Sequence, residues 1–330
     1  MTPKKGLIIG KFHPLHIGHI GLIQFGLAHC DTLIVLVCAS NKEKISGVLR
    51  QKWLQETFKN EPKLDIQILD YDEAELPNTS VSSEAVSKIW ATKFMDMRLQ
   101  IDLFFSSEKY GDFVAKHMNF KHIPYEMGRE THNIAASQIL ENPLKYWDFI
   151  APSARSFFVK KICICGTEST GKSTLTALLA KHYDTNFVPE MAREIIEHTE
   201  SVTEEHLTQI ATLHAKTILE KEPYANKFLF VDTDILTTKS YAHFLFNKPL
   251  IVDDWIEKAN VFDAYIYLQK DAVYVQDGTR LDLEKRNELD DFHQNELKKS
   301  GVVYEIIGGN WEERFEKAIA YMDRLFFQYQ

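Results

Sequence analysis

Residues 159–174 read VKKICICGTESTGKST, and no other run constrains the fold of the chain as strongly. A short apolar strand carrying Ile162 and Ile164 enters a loop of Gly166, Thr167, Glu168, Ser169, Thr170, Gly171, Lys172 and Ser173. That loop fits G-x-x-x-x-G-K-[ST], the phosphate-binding P-loop. Its glycines let the backbone wrap until the N–H groups point at one anion. The helix that follows turns its positive end to the same place. Residues 175–183, LTALLAKHY, supply that helix. Lys172 then reaches the β- and γ-phosphates of a nucleotide, the Ser173 hydroxyl can ligand Mg²⁺, and Thr174 continues the cradle into the helix. Strand, loop and helix in this order belong to a parallel α/β sheet.

The chain has 330 residues and 45% hydrophobic content, enough for two domains with real cores. Upstream of the P-loop, short apolar runs at residues 6–10, 32–38, 64–69, 101–105 and 121–124 alternate with helical patterns at 18–29, 50–59, 82–97 and 110–117. This alternation predicts a first doubly wound parallel sheet. Downstream, the strands are expected near 160–165, 186–188, 227–231, 264–268 and 302–307, giving a second doubly wound sheet. Ser201 and Glu204 read as a capping box opening a helix to about residue 221, whose apolar spacing is assigned to packing. Residues 141–156 contain two prolines, but also Tyr146, Trp147, Phe149 and Ile150, so this segment is expected to pack between domains. The expected domains are residues 1–156 and 157–330.

Ligands in doubly wound sheets bind outside the carboxyl ends of the strands. His13, His16 and His19 fall just past the end of the first strand, with Gly18 among them. His16 and His19 are three apart at a helix start and can share a face. Imidazole donors beside a helix N-terminus suit a polyphosphate, where they stabilise charge building on phosphorus and on a leaving pyrophosphate. A metal site is the rival reading, but no acidic cluster with ligand spacing accompanies the histidines.

The run GKFHPLHIGH at residues 10–19 resembles the H-x-G-H signature of the nucleotidylyltransferase superfamily. Joined to a P-loop domain at this position, the chain resembles the bifunctional NMN adenylyltransferase/ribosylnicotinamide kinase family of bacterial NAD salvage. The runs SSEKYG at 106–111 and ENPLKYW at 141–147 support the likeness, which spans nearly the whole chain. It implies ATP binding by Gly10, Lys11, Phe12, His13, His16 and His19, with His16 and His19 catalytic. Some members carry an N-terminal helix-turn-helix repressor segment. This chain starts at its first strand, so that DNA-binding role is expected to be absent.

One departure stands out. The family's second nucleotide signature resembles I-S-x-[ST]-x-I-R, and this chain has Ile134-Ala135-Ala136-Ser137-Gln138-Ile139-Leu140. Ala135 replaces the first Ser and Leu140 replaces the Arg. Losing the guanidinium removes a fixed charge and up to five donors. The adenylyltransferase is then impaired or lost, or Arg129 or Lys145 substitutes.

In the second domain, Glu190 follows the second strand, where P-loop nucleoside kinases carry the carboxylate that meets the acceptor hydroxyl. Arg193 lies one helical turn on and could hold Glu190 or a phosphate. Asp232 ends an apolar strand in the manner of a Walker B motif and is the better Mg²⁺ candidate beside Ser173. Asp234 is expected at the ribose hydroxyls. Asp277, Gly278 and Arg280 match the family's D-G-x-R, an arginine-bearing lid that would bring Arg280 onto the transferring phosphoryl group.

A net charge of −9 argues against nucleic acid as the main partner. The four cysteines, Cys30, Cys38, Cys163 and Cys165, sit in apolar runs and read as buried small hydrophobes. Neither a signal peptide nor a membrane span is apparent, and a cytoplasmic location is expected. The resemblance implies nicotinamide riboside, NMN, ATP and NAD as ligands, ATP as co-substrate, and Mg²⁺; a homo-oligomer stays open. Two alternatives remain: a kinase with a degenerate N-terminal domain, and a nucleotide-sensing regulator that binds without turnover.

Overall fold

The structure, a computed structural model, describes residues 3–77, 83–126, 134–196, 201–276 and 280–327. Its contacts divide the chain into Met1–Arg155 and Ser156–Gln330.

In the first unit, strands β1 (Lys5–Gly10), β2 (Thr32–Ser40), β3 (Leu64–Tyr71), β4 (Leu103–Ser106) and β5 (Lys121–Pro124) form one sheet in the order β3-β2-β1-β4-β5. All pairings are parallel. Helices α1 (Ile17–His29), α2 (Gly47–Thr57), α3 (Glu84–Asp96), α4 (Tyr110–Met118), α5 (Ala136–Glu141) and α6 (Pro152–Arg155) complete it. The strands form because their apolar runs are buried on both faces: Leu7, Ile8, Val35, Leu36, Phe104 and Phe105 are fully enclosed. The strand order reverses at β1, between β2 and β4, which opens a crevice at the carboxyl ends. The GKFHPLHIGH run lies at this switch point.

The segment after α5 packs onto the residues that lead into α1 and onto α2. The Ala151 amide donates to the Leu15 carbonyl at 3.1 Å, and His16 and Ile150 form an antiparallel bridge. The Ser153 hydroxyl donates to the Trp53 carbonyl at 2.9 Å. Trp147, Ile150, Ala151 and Ala154 are buried, which is the reason the segment is ordered despite its prolines.

In the second unit, β6 (Lys160–Cys165), β7 (Phe187–Val188), β8 (Phe228–Asp232), β9 (Ala264–Leu268) and β10 (Tyr304–Ile307) are parallel in the order β10-β9-β6-β8-β7. Helices α7 (Lys172–His182), α8 (Ala192–Ile195), α9 (Glu204–Lys221), α10 (Ile235–Phe246), α11 (Asp254–Ala259), α12 (Leu283–Ser300) and α13 (Trp311–Phe326) surround them. The P-loop strand β6 is central. Its Ile162, Cys163 and Ile164 are fully buried. All four cysteines are free and buried.

The opening of α9 differs from the sequence reading. Glu204 is already the first helical residue, so Ser201 lies too far upstream to cap it. Thr203 takes that role: its hydroxyl accepts the His206 amide at 3.3 Å, and His206 Nδ1 accepts the Thr203 amide at 3.3 Å. Among the described residues no helix is long and apolar enough to cross a membrane.

Candidate nucleotide sites

The P-loop is shaped by two glycines in the left-handed half of backbone space. Gly166 has φ +137°, and a Cβ there would sit 2.8 Å from the Leu268 carbonyl oxygen. Gly171 has φ +89°, and a Cβ there would sit 2.2 Å from the Trp311 ring. Gly171 is also the N-cap of α7 and offers no side chain to its first turn. The amides of that turn are therefore left for an anion.

The carbonyls of the loop are held by donors. Lys172 Nζ donates to the Thr167 carbonyl at 3.1 Å, and the Thr170 hydroxyl to the same oxygen at 2.8 Å. Arg286 Nε donates to the Glu168 carbonyl at 3.0 Å. Arg314 donates to the Thr170 carbonyl, and its Nε to the Gly309 carbonyl at 2.8 Å. Because peptide units are planar, fixing a carbonyl also fixes the direction of the N–H on the opposite edge of the same unit. Arg286 and Arg314 are buried on α12 and α13. The sequence alone assigns neither Arg286 nor Arg314 a role in holding the loop. At helical spacing both look like ordinary surface charges.

A cavity of about 910 Å³ opens from this loop. Lys172, Ser173, Thr174, Glu190, Arg193 and Arg280 all line it. Arg193 Nε lies 4.0 Å from Glu190 Oε2, a loose ion pair one turn apart. The far wall is apolar, built by Met191, Ile196, Val202, Leu207 and Ile210. The α9 face that carries Leu207, Ile210 and His214 thus lines the cavity, where the sequence reading gave it to packing alone. His214 was not singled out; its i+7 spacing from Leu207 was the available signal. Burial depresses its pKa to about 4, opposed by a hydrogen bond with the Asp232 backbone and by the Glu190 charge.

Glu168 and Ser169 extend side chains from the loop to the arginine-bearing segment. Glu168 accepts the Leu281 amide at 3.1 Å and the Tyr241 hydroxyl at 3.0 Å, and Ser169 accepts the Val275 amide at 3.0 Å. Arg280 donates to the Val275 carbonyl. Asp277 and Gly278, which complete the expected D-G-x-R, lie outside the described residues.

Asp232 ends β8 fully buried, and neither of its carboxylate oxygens has a hydrogen-bond partner among the described residues. Burial raises its pKa to about 7, with the Glu190 charge adding to the rise and Lys172 and Ser173 opposing it. Asp234 behaves differently from the ribose-binding expectation. It is the N-cap of α10: Oδ1 accepts the Thr237 amide at 2.9 Å and the Thr237 hydroxyl at 3.0 Å. It is buried and is not part of the cavity wall, because a cap side chain points back along its own helix.

The first unit carries a second cavity, of about 350 Å³, at the carboxyl ends of β1 and β4. Gly10, Lys11, Phe12, His13 and His19 line it, with Ser107, Glu108 and Tyr110 opposite. His16 is placed differently from the other histidines. Its Nδ1 accepts the Gly18 amide at 3.1 Å and so caps α1, and it is not in the cavity wall. Its ring lies against that of His19, with centroids 3.8 Å apart. Phe12 meets His19 edge-on at 5.0 Å. Burial lowers the His13 pKa.

Arg50 supports this loop from beneath and was missed in the sequence. It is fully buried, donates to the Lys11 carbonyl at 2.6 Å and pairs with Glu43 at 2.7 Å. Lys11 reaches the same Glu43 at 3.0 Å. On the other side, Ser106 contacts His122 Nε2 at 3.0 Å, and His122 Nδ1 contacts Asp112 at 2.7 Å. This chain anchors the end of β4, from which Ser107 and Glu108 enter the cavity.

Ala135 stands at the N-cap of α5 without a side-chain cap; instead Gln138 Oε1 accepts its amide at 2.9 Å. Leu140 is 37% exposed. Lys145 is exposed over the Tyr146 ring and does not line the cavity. Arg129 lies outside the described residues. No group of three or more His, Cys, Asp or Glu side chains among the described residues converges as a metal site.

A switch-point crevice with H-x-G-H in one parallel sheet, and a P-loop cavity in the other, define a two-domain nucleotide-binding α/β protein of nucleotidylyltransferase and P-loop kinase type. A family model described as an AAA domain matches residues 161–314. The trifunctional NAD biosynthesis/regulator protein NadR of Escherichia coli (strain K12) is 30% identical over 298 residues, covering 83% of this chain and 71% of that protein. A crystal structure of NadR in complex with NAD and AMP-PNP matches with a TM-score of 0.77 at 21% identity, covering 98% of this chain and 96% of that one. A crystal structure of NadR in complex with NR matches with a TM-score of 0.75 at 21% identity, over 99% of this chain and 97% of that one. The chain belongs to the NadR family of NAD biosynthesis proteins.

Proposed function

We propose that the chain carries out two ATP-dependent transfers. The C-terminal unit phosphorylates nicotinamide riboside to NMN, and the N-terminal unit transfers an adenylyl group from ATP to NMN, giving NAD and pyrophosphate. The observation that carries the kinase reading is the single cavity in which the P-loop end, Glu190 and Arg280 meet an apolar acceptor wall. The complexes of the related NadR structures with NAD, AMP-PNP and NR support the choice of ligands.

In the kinase step, Lys172 and the loop amides hold the ATP phosphates. Glu190 accepts the 5′-hydroxyl proton as that oxygen bonds to the γ-phosphorus and the bond to the β,γ-bridging oxygen breaks, releasing ADP. Arg280 covers the charge of the transferring group. The two orphaned oxygens of buried Asp232, beside the Ser173 hydroxyl, fit a divalent cation. Ser173 and Asp232 would hold Mg²⁺, which supplies neutralising charge to the phosphates.

In the adenylyl step, a phosphate oxygen of NMN attacks the α-phosphorus and pyrophosphate leaves. His19 and Lys11 line the cavity where that charge would develop. His16 holds the start of α1 through the Gly18 amide on its Nδ1 and packs its ring against that of His19. A second reading, kinase activity alone, is favoured by Ala135 and Leu140, which leave the second ATP signature without its hydroxyl and guanidinium.

Two assays separate the readings. ATP consumption is followed with and without nicotinamide riboside; ADP release that does not depend on the riboside would remove the kinase reading. NAD formation from NMN and ATP is then compared with His16→Ala. Turnover no greater than that variant's would leave the kinase alone.

A further inference from the structure

Among the polar side chains that line the cavity of the C-terminal unit and that the phosphoryl transfer does not use is His214. His214 stands on the α9 face shared with Leu207 and Ile210 and lines the cavity while only 4% exposed. Its Nε2 is buried and has no hydrogen-bond partner among the described residues. The ring's backbone hydrogen bond is to Asp232. A carbonyl only accepts, so the ring nitrogen facing it carries the hydrogen. On an uncharged imidazole the other nitrogen then carries a lone pair.

That lone pair calls for a donor, and the neighbouring hydroxyls of α10 are engaged elsewhere. Thr237 donates to Asp234 Oδ1 at 3.0 Å, Thr238 to the Asp234 carbonyl at 3.3 Å, and Tyr241 to Glu168 at 3.0 Å. Lys172 is turned to the Thr167 carbonyl at 3.1 Å. The Glu190 carboxylate, when ionised, can only accept. A buried polar atom left without a partner is costly, and a ligand entering the cavity can supply one.

We propose that His214 is a specificity-determining residue that accepts a hydrogen bond from the acceptor nucleoside. The donor is either a ribose hydroxyl or the carboxamide N–H of the base. A carboxylate in place of the carboxamide offers only lone pairs, so it cannot satisfy the imidazole. The proposal rests on the reading that this cavity takes a riboside.

The test uses the full chain at pH 8 with saturating ATP, where an ordinary imidazole is uncharged. The acceptors are nicotinamide riboside, its 2′-deoxy and 3′-deoxy forms, and nicotinic acid riboside. The wild type is expected to lose about tenfold or more in kcat/KM on one of these analogues, and His214→Ala to narrow that ratio to about threefold or less. The analogue that shows this identifies the donor. His214→Gln, which keeps an acceptor oxygen, is expected to retain part of the discrimination and serves if the alanine variant does not fold. Equal ratios in wild type and variant across all analogues, or no discrimination by the wild type, overturn the proposal. A wild type that phosphorylates no riboside removes the kinase reading and this proposal with it, a result distinct from unchanged ratios.

Discussion

Arg286 Nε donates to the Glu168 carbonyl at 3.0 Å, across 118 positions of sequence. The Thr167 hydroxyl returns a hydrogen bond to the Arg286 carbonyl at 3.2 Å, so loop and helix α12 hold each other. Arg286→Ala would leave the half-buried Glu168 carbonyl without that donor, at a cost of about 1 kcal/mol. Beyond that loss, the loop carbonyl is free to turn. The KM for ATP should rise by about tenfold or more, while that for the riboside changes little. Denaturant unfolding and steady-state kinetics on both substrates check this. An equal rise in both KM values would mean general loosening of the domain rather than control of the loop.

The two P-loop glycines should respond differently to rescue. At Gly166 an added Cβ meets the backbone oxygen of Leu268 at 2.8 Å, and that atom belongs to β9, paired on both sides within the sheet. At Gly171 it meets the Trp311 ring at 2.2 Å, and Trp311 is 54% exposed. Backbone in a sheet cannot move aside; a half-exposed indole can. Both Gly166→Ala and Gly171→Ala should weaken ATP binding, since an L-residue at positive φ costs about 1–2 kcal/mol in either place. Adding Trp311→Ala should restore part of the loss at Gly171 and none at Gly166. ATP titration of the four variants decides the point. Equal failure of both double variants would assign the whole effect to backbone strain.

The sheets and the phosphate cradle were legible because their signals are local. A glycine-bounded apolar run such as residues 6–10, or the spacing of Gly166, Gly171 and Lys172, carries its meaning within a few residues. What supports those sites is not local. Arg50, Arg286 and Arg314 sit on helices whose charge pattern reads as solvated, yet each is buried against the carbonyls of a distant loop. Only packing decides which face of such a helix turns inward. Asp234 shows the converse: next to a strand end it suggests a ligand contact, but the start of α10 at Ile235 makes it a cap. His214 was hidden because one polar residue on an apolar helical face looks the same whether the face meets a core or a cavity.

His293 gives the C-terminal unit a dependence on pH. It is buried on α12 against the Ser240 hydroxyl, and burial, with the charge of Lys172 behind it, lowers its pKa from 6.5 to about 3. Between those values the unfolded chain binds a proton that the folded chain does not. Its contribution is therefore present above pH 6.5 and is lost as the pH falls toward 3, by at most about 1.4 kcal/mol per pH unit. His293→Asn keeps a polar group toward Ser240 but does not titrate. Its thermal midpoint should fall less steeply than that of the wild type between pH 6.5 and 5. Parallel curves for the two proteins would show that His293 takes up its proton in the fold as readily as in the unfolded chain.

Ala135 and Leu140 allow the N-terminal reading to be tested by gain rather than loss. Ala135 caps α5 with no side-chain acceptor, so Ala135→Ser should stabilise that helix by about 0.5–1 kcal/mol. Leu140 is 37% exposed, so an arginine there can be accommodated without displacing core. If the missing guanidinium is what limits adenylyl transfer, Leu140→Arg should raise NAD formation from NMN and ATP by about tenfold or more. The gain should appear mainly in kcat, because charge on the triphosphate grows toward the transition state. Pyrophosphate release measured for Leu140→Arg, alone and with Ala135→Ser, checks this against wild type. An unchanged rate in a folded variant would locate the required cation elsewhere, and Arg129→Ala and Lys145→Ala in the same assay would then find it.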